Sequence, residues 1–138
     1  MKVSAAFLCD WAESREGLLM AVAGGITRLW RQQYPSSVGS TLAILVTIPQ
    51  SELEIPHDIA VGLMGPDAPI GEIQGGFQIG RAPDLEVGEE VVAPVTFDLR
   101  PFNLPGPGSY TLHVSIDGEL KQSVSFIAKP AGAGPTGS

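Results

Sequence analysis

Cys9 and Asp10 stand side by side near the start of the chain, His57 is followed by Asp58, and His113 lies further on. A thiol, a carboxylate and an imidazole are the parts of a small cysteine-based or metal-assisted hydrolase, provided that folding brings them together. The local sequence favours a blander reading. Cys9 closes an apolar stretch with no basic residue beside it to stabilise a thiolate, so it reads as a buried structural thiol. His57 and Asp58 are neighbours on an alternating stretch, which sends their side chains to opposite faces. His113 points away from Val114, so both histidines are expected to face solvent. No Gly-x-Ser-x-Gly run supplies a nucleophile elbow. One cysteine and two histidines are too few for a zinc site. Asp84, Glu86, Glu89 and Glu90 offer oxygen atoms to calcium, but they lack the ligand spacing of a known loop and read as a solvated acidic loop. Gly24-Gly25 and Gly75-Gly76 are not followed by the Gly-Lys of a phosphate loop. No catalytic residue, metal or cofactor is therefore predicted. The enzyme alternative is a small enzyme or metal-assisted hydrolase using Cys9, Asp10 and a histidine.

Residues suited to protein contact are more prominent. Arg28-Leu29-Trp30-Arg31-Gln32-Gln33-Tyr34 concentrates Trp, Tyr and Arg, the types that dominate interface hot spots, and Trp11 could join from a neighbouring loop. Two stretches are also apolar on both faces. If Leu18, Met20 and Val22 face the core, Leu19 and Ala21 are left on the other side. If Leu42, Ile44, Val46 and Ile48 face the core, Ala43 and Leu45 are left likewise. An exposed sheet face would be polar there. These patterns predict a non-catalytic binding or assembly module. It would meet a protein partner, or a second copy, through Leu19, Ala21, Ala43 and Leu45 together with Trp11, Arg28, Trp30, Arg31 and Tyr34.

The elements that must position these residues are strands. In the hairpin from Pro107 to Glu119, Tyr110, Leu112, Val114 and Ile116 alternate with polar residues, a period of two that belongs to a half-buried strand. Thr41 to Ile48 is β-branched and aliphatic, His57 to Met64 alternates, and Ile70 to Ile79 is a weaker strand in which Gly75-Gly76 predicts a bulge or a close backbone approach. Val91 to Leu99 is a further strand, with Pro94 marking an edge position. Lys2 to Leu8 is the first strand, Glu13 to Gly17 a turn, and Leu18 to Ala23 a strand that could run on through Ile26 to Trp30. About eight short strands at this spacing predict an all-β fold, a two-sheet antiparallel immunoglobulin-like sandwich over 1–128, with a closed barrel as the alternative. The Ala/Gly/Pro-rich stretch 129–138 is expected to be a disordered tail. For the last hairpin, a two-residue loop at Asp117-Gly118 would set charges against core residues. A three-residue turn pairing Val114 with Leu120 and Tyr110 with Val124 is expected instead.

Composition narrows the partners. The 138 residues carry a formal net charge of -7, and the eight Lys and Arg are scattered. That balance excludes the basic stripe of a nucleic-acid binder and any attraction to an anionic membrane surface. No stretch approaches a membrane span or a signal peptide, and a single cysteine forms no intrachain disulfide, so a cytoplasmic protein is expected.

Several stretches resemble a bacterial family of small single-domain β-sandwich proteins of unassigned function: Ala6-Phe7-Leu8-Cys9-Asp10-Trp11-Ala12, then Gly17-Leu18-Leu19-Met20 with Gly24-Gly25-Ile26, then Pro107-Gly108-Ser109-Tyr110 leading to Ile116-Asp117-Gly118. The resemblance spans most of the chain. It implies a strand from Leu18 to Ala23 and brings no catalytic residue. The last hairpin also looks like the closing strands of immunoglobulin-like domains, with Tyr110 as a corner tyrosine and Leu112 where a cysteine would stand.

Overall fold

The computed structural model describes residues 1–131. Among them the chain is all-β, with twelve strands where about eight were expected, and one short 3-10 turn, Gln50–Glu52. A three-stranded sheet has the order β1 (Lys2–Cys9), β6 (Thr41–Ile48), β9 (Val91–Asp98). A five-stranded sheet has the order β4 (Arg28–Arg31), β12 (Glu119–Pro130), β11 (Gly108–Ile116), β7 (His57–Met64), β8 (Pro69–Phe77). Two small pairs complete the fold: β2 (Trp11–Arg15) with β3 (Leu18–Val22), and β5 (Ser36–Ser37) with β10 (Asn103–Leu104).

Alternation decides which side chains enter the core. Leu42, Ile44 and Val46 from β6, Ile59, Val61 and Leu63 from β7, and Tyr110, Leu112, Val114 and Ile116 from β11 belong to one buried apolar cluster shared by the two larger sheets. Tyr110 and Phe126 stack there with ring centroids 5.5 Å apart. Pro94 lies on β9, an edge strand, where its missing N–H costs no ladder bond. Gly75 and Gly76 sit in a regular register opposite Ile59 and Asp58, and a Cβ at Gly76 would lie 3.2 Å from the His57 carbonyl, so the pair marks a close backbone approach, not a bulge.

Four expectations are corrected. The pairing is not wholly antiparallel, because β4 runs parallel to β12. Lys129 and Pro130 continue β12 and pair with Trp30 and Arg31, so the sheet extends past residue 128; the tail expected further on, at 132–138, lies outside the described residues. The strand from Leu18 stops at Val22, and Trp11–Arg15, expected in part as a turn, is its hairpin partner. The last hairpin has a two-residue turn, with Ile116 opposite Glu119. Asp117 and Gly118 both have positive φ (51° and 82°), which matches a right-twisted ribbon. Parity is restored within the strand: a bulge after Val114 skips Lys121, so Leu112 meets Val124 and Tyr110 meets Phe126. Leu120, expected on the core face, is exposed.

Candidate functional site

The β2–β3 hairpin grows from the end of β1. The Asp10 N–H donates to the Val22 carbonyl at 3.0 Å, and the Gly25 N–H donates to the Leu8 carbonyl at 2.9 Å, so both legs are anchored at one root. From there the ribbon leans over β6 and β9. Its register puts Trp11 opposite Val22, Glu13 opposite Met20 and Arg15 opposite Leu18, and these pairs share one face. Ala12, Ala21, Ser14 and Leu19 share the other.

The apolar row on the first face is open to solvent. Leu18 is 70% exposed, Val22 54%, Trp11 44% and Met20 42%. This reverses the sequence-based orientation, which sent Leu18, Met20 and Val22 into the core. Ala12 and Leu19 are half-buried, Ala21 is exposed, Leu45 is half-buried and Ala43 is fully buried. The physical reason is the bend at Asp10. It lays the hairpin over the outer side of the three-stranded sheet, so part of the second apolar face of β6 is covered by this chain itself. Ala43 is therefore not available as a contact residue.

The second group of contact candidates is largely used internally. The Arg31 guanidinium donates to the carbonyls of Trp30 at 2.9 Å, Val38 at 2.7 Å and Ser37 at 3.4 Å, which ties β4 to the segment after it. The Tyr34 hydroxyl donates to the Lys129 carbonyl at 2.8 Å, fastening the loop to β12, and burial pushes its phenol pKa up. Trp30 is half-buried and Arg28 is exposed. Trp11 stands on β2, in a strand and not in a loop.

The residues with chemical potential do not come together. Cys9 is fully buried, donates its S–H to the Thr41 carbonyl at 3.5 Å, and has its thiol pKa raised by burial. Cys9 pairs with Thr41 at one end of β6, whereas the turn that contacts His57 follows Ile48 at the other end. Seven residue steps at about 3.3 Å each separate those ends by about 23 Å. His57 itself is not solvent-facing as expected. It is 6% exposed, with Nδ1 2.7 Å from Asp117 Oδ2 and Nε2 2.8 Å from the Glu52 carbonyl. Asp117 lies 60 residues away in sequence, and no local pattern pairs the two. His113 Nδ1 lies 3.1 Å from Ser123 Oγ on the outer side of the five-stranded sheet. Asp10 lines an open groove of about 400 Å³ with Trp11, Thr41, Thr96, Asp98 and Arg100, and no thiol or imidazole enters it. In the acidic loop the Glu89 carbonyl is taken by Gln50 Nε2 at 2.9 Å, and among the described residues no three Asp, Glu, His or Cys side chains converge on a metal position.

The model of DUF6941, a family of unknown function, matches residues 4–129. The chain belongs to this family. No curated protein matches it. The matched span takes in the whole β2–β3 hairpin as well as β11 and nearly all of β12. Among the described residues no helix is long and apolar enough to cross a membrane.

Proposed function

We propose that this DUF6941 chain is a non-catalytic binding or assembly module that works through protein–protein contact, at the outward face of its β2–β3 hairpin. One observation carries the reading: Trp11, Leu18, Met20 and Val22 form a continuous apolar row on one face of a ribbon, each with two-fifths or more of its surface in water. Leaving such a row hydrated forgoes about 25 cal/mol for every Å² that a partner would cover. The occupant is a protein partner or a second copy of the chain. The two larger sheets are read as an immunoglobulin-like sandwich. In support, the Tyr110 hydroxyl donates to the Gly106 carbonyl at 2.6 Å, the upstream bond of a corner tyrosine.

Leu18→Glu and Met20→Glu test the site, because both positions are exposed and outside the core. Sedimentation velocity should show mass rising with concentration in the native chain and loss of that rise in both variants, at unchanged circular dichroism. If the native chain is monomeric throughout, a partner recovered on immobilised native protein should be lost on both variants. A monomer whose recovered proteins are identical for native and variant forms overturns the reading.

A further inference from the structure

His57 is buried between two acceptors. Asp117 Oδ2 faces its Nδ1 at 2.7 Å, and the Glu52 carbonyl faces its Nε2 at 2.8 Å. Neither oxygen brings a hydrogen when Asp117 is ionised. A neutral imidazole has one N–H, so it would set a nitrogen lone pair against an oxygen lone pair at one of these contacts. Only the imidazolium satisfies both.

The consequence reaches beyond His57. The Gln50–Glu52 turn is the anchor of the acidic loop 81–90. Gln50 Nε2 donates to the Glu89 carbonyl at 2.9 Å, and the Arg81 guanidinium donates to Gln50 Oε1 and to the Gln50 carbonyl, each at 2.9 Å. We infer that protonated His57 is a clamp joining this turn to the tip of the β11–β12 hairpin, and that its deprotonation frees the turn and, through Gln50, loosens the acidic loop.

The surrounding charges act in the same direction. Asp117 comes from the β11–β12 turn and accepts a further bond at 2.9 Å from the Asp58 N–H. The carboxyl of Asp58 itself is on the exposed side of β7. From the 3-10 turn come the Glu52 carbonyl and its carboxylate, which the Met1 amino group approaches to 3.4 Å. From β12, Lys121 acts on Asp117, and it is paired with Glu119 at 3.3 Å. β8 presents the Phe77 ring, 5.4 Å away between centroids and uncharged. Burial opposes a charged imidazole, but the Glu52 carbonyl and the Asp117 carboxylate outweigh it and hold the His57 pKa above its ordinary value of 6.5. With the folded value raised, the clamp's stabilisation is complete below the ordinary value and is lost as pH rises through the folded one.

Nitrogen-15 spectra of the imidazole, read beside amide hydrogen exchange of residues 50–57 and 81–90, test this on the intact chain. Both ring nitrogens should titrate together as an imidazolium, with a midpoint above that of a free histidine. After correction for intrinsic exchange, protection of the loop should fall several-fold from mildly acidic to mildly alkaline pH. His57→Gln should abolish that pH dependence. Asp117→Asn keeps a residue tolerant of the left-handed backbone at φ 51°, and it should lower the midpoint in a chain that still folds. A neutral, single-tautomer His57 at mildly acidic pH overturns the clamp. So does a loop whose protection is the same across the range in the native chain and in Asp117→Asn.

Discussion

The β2–β3 and β11–β12 hairpins are built on the same turn. Glu16-Gly17 and Asp117-Gly118 each place both central residues at positive φ (53° and 76°, 51° and 82°), and each links strands that alternate in register. Their environments differ. β11–β12 is flanked by β7 and β4, and Tyr110, Leu112, Val114 and Phe126 enter the core. β2–β3 has no third strand, and its apolar row of Trp11, Leu18, Met20 and Val22 faces water. The comparison teaches that turn chemistry makes a hairpin, whereas neighbours decide whether its apolar face becomes core or contact surface.

The largest effect that sharpens this contrast is truncation. Phe126→Ala should cost about 3–5 kcal/mol in denaturant unfolding, since it empties a buried, stacked ring position. Met20→Ala should cost about 0.5 kcal/mol or less, because its side chain lies outside the core and already has two-fifths of its surface in water. Comparable losses would break the distinction. Next come the turns: Gly118→Ala and Gly17→Ala each place a Cβ at positive φ, a local penalty of about 1–2 kcal/mol. For Gly118 the cost should appear in global unfolding, whereas for Gly17 it should appear as faster local hydrogen exchange with an unchanged global midpoint. Tyr34→Phe removes the hydroxyl bond to the Lys129 carbonyl and should cost about 1 kcal/mol, measured by the same unfolding curves.

The smallest expected effect is on acidification. The His57 ring and the Asp58 N–H hold the Asp117 carboxyl below its ordinary pKa of 3.8. A lowered folded value means that its contribution is present above the ordinary value and disappears as pH falls through the folded one. Half-exposure of Asp117 keeps the effect small. Amide shifts at 116–119 should therefore follow a titration whose midpoint lies below the ordinary carboxyl value of 3.8, and a midpoint at or above that value would show that the His57 ring and the Asp58 N–H do not hold this turn's carboxylate.

Much of the fold was legible because it is local. A β-branched, aliphatic run marked β6 and apolar–polar patterning marked β7, β9 and β11 close to their observed bounds, and Pro94 announced an edge. The last hairpin was found but its turn was misread, because a change of parity can sit in the turn or in a bulge, and the skipped Lys121 leaves no sequence signature. The exposed row was visible only as an ambiguity. Leu18 to Ala23 is apolar at odd and even positions alike, so alternation cannot say which side is in water. His57 was read as solvent-facing although it shares its parity with the buried Ile59, Val61 and Leu63, so alternation alone could have placed it inside; only its partner Asp117, remote in the chain, was beyond local reading.

By itself the sequence determined the longer strands, most of their boundaries and the lack of any close-spaced reactive motif, because a period of two and turn-forming dipeptides act between near neighbours. Tertiary structure alone decided which apolar face the bend at Asp10 turns outward, and that a buried imidazole meets a carboxylate from the opposite half of the chain. Both are settled by contacts between segments far apart in sequence, whose free energy no short window contains.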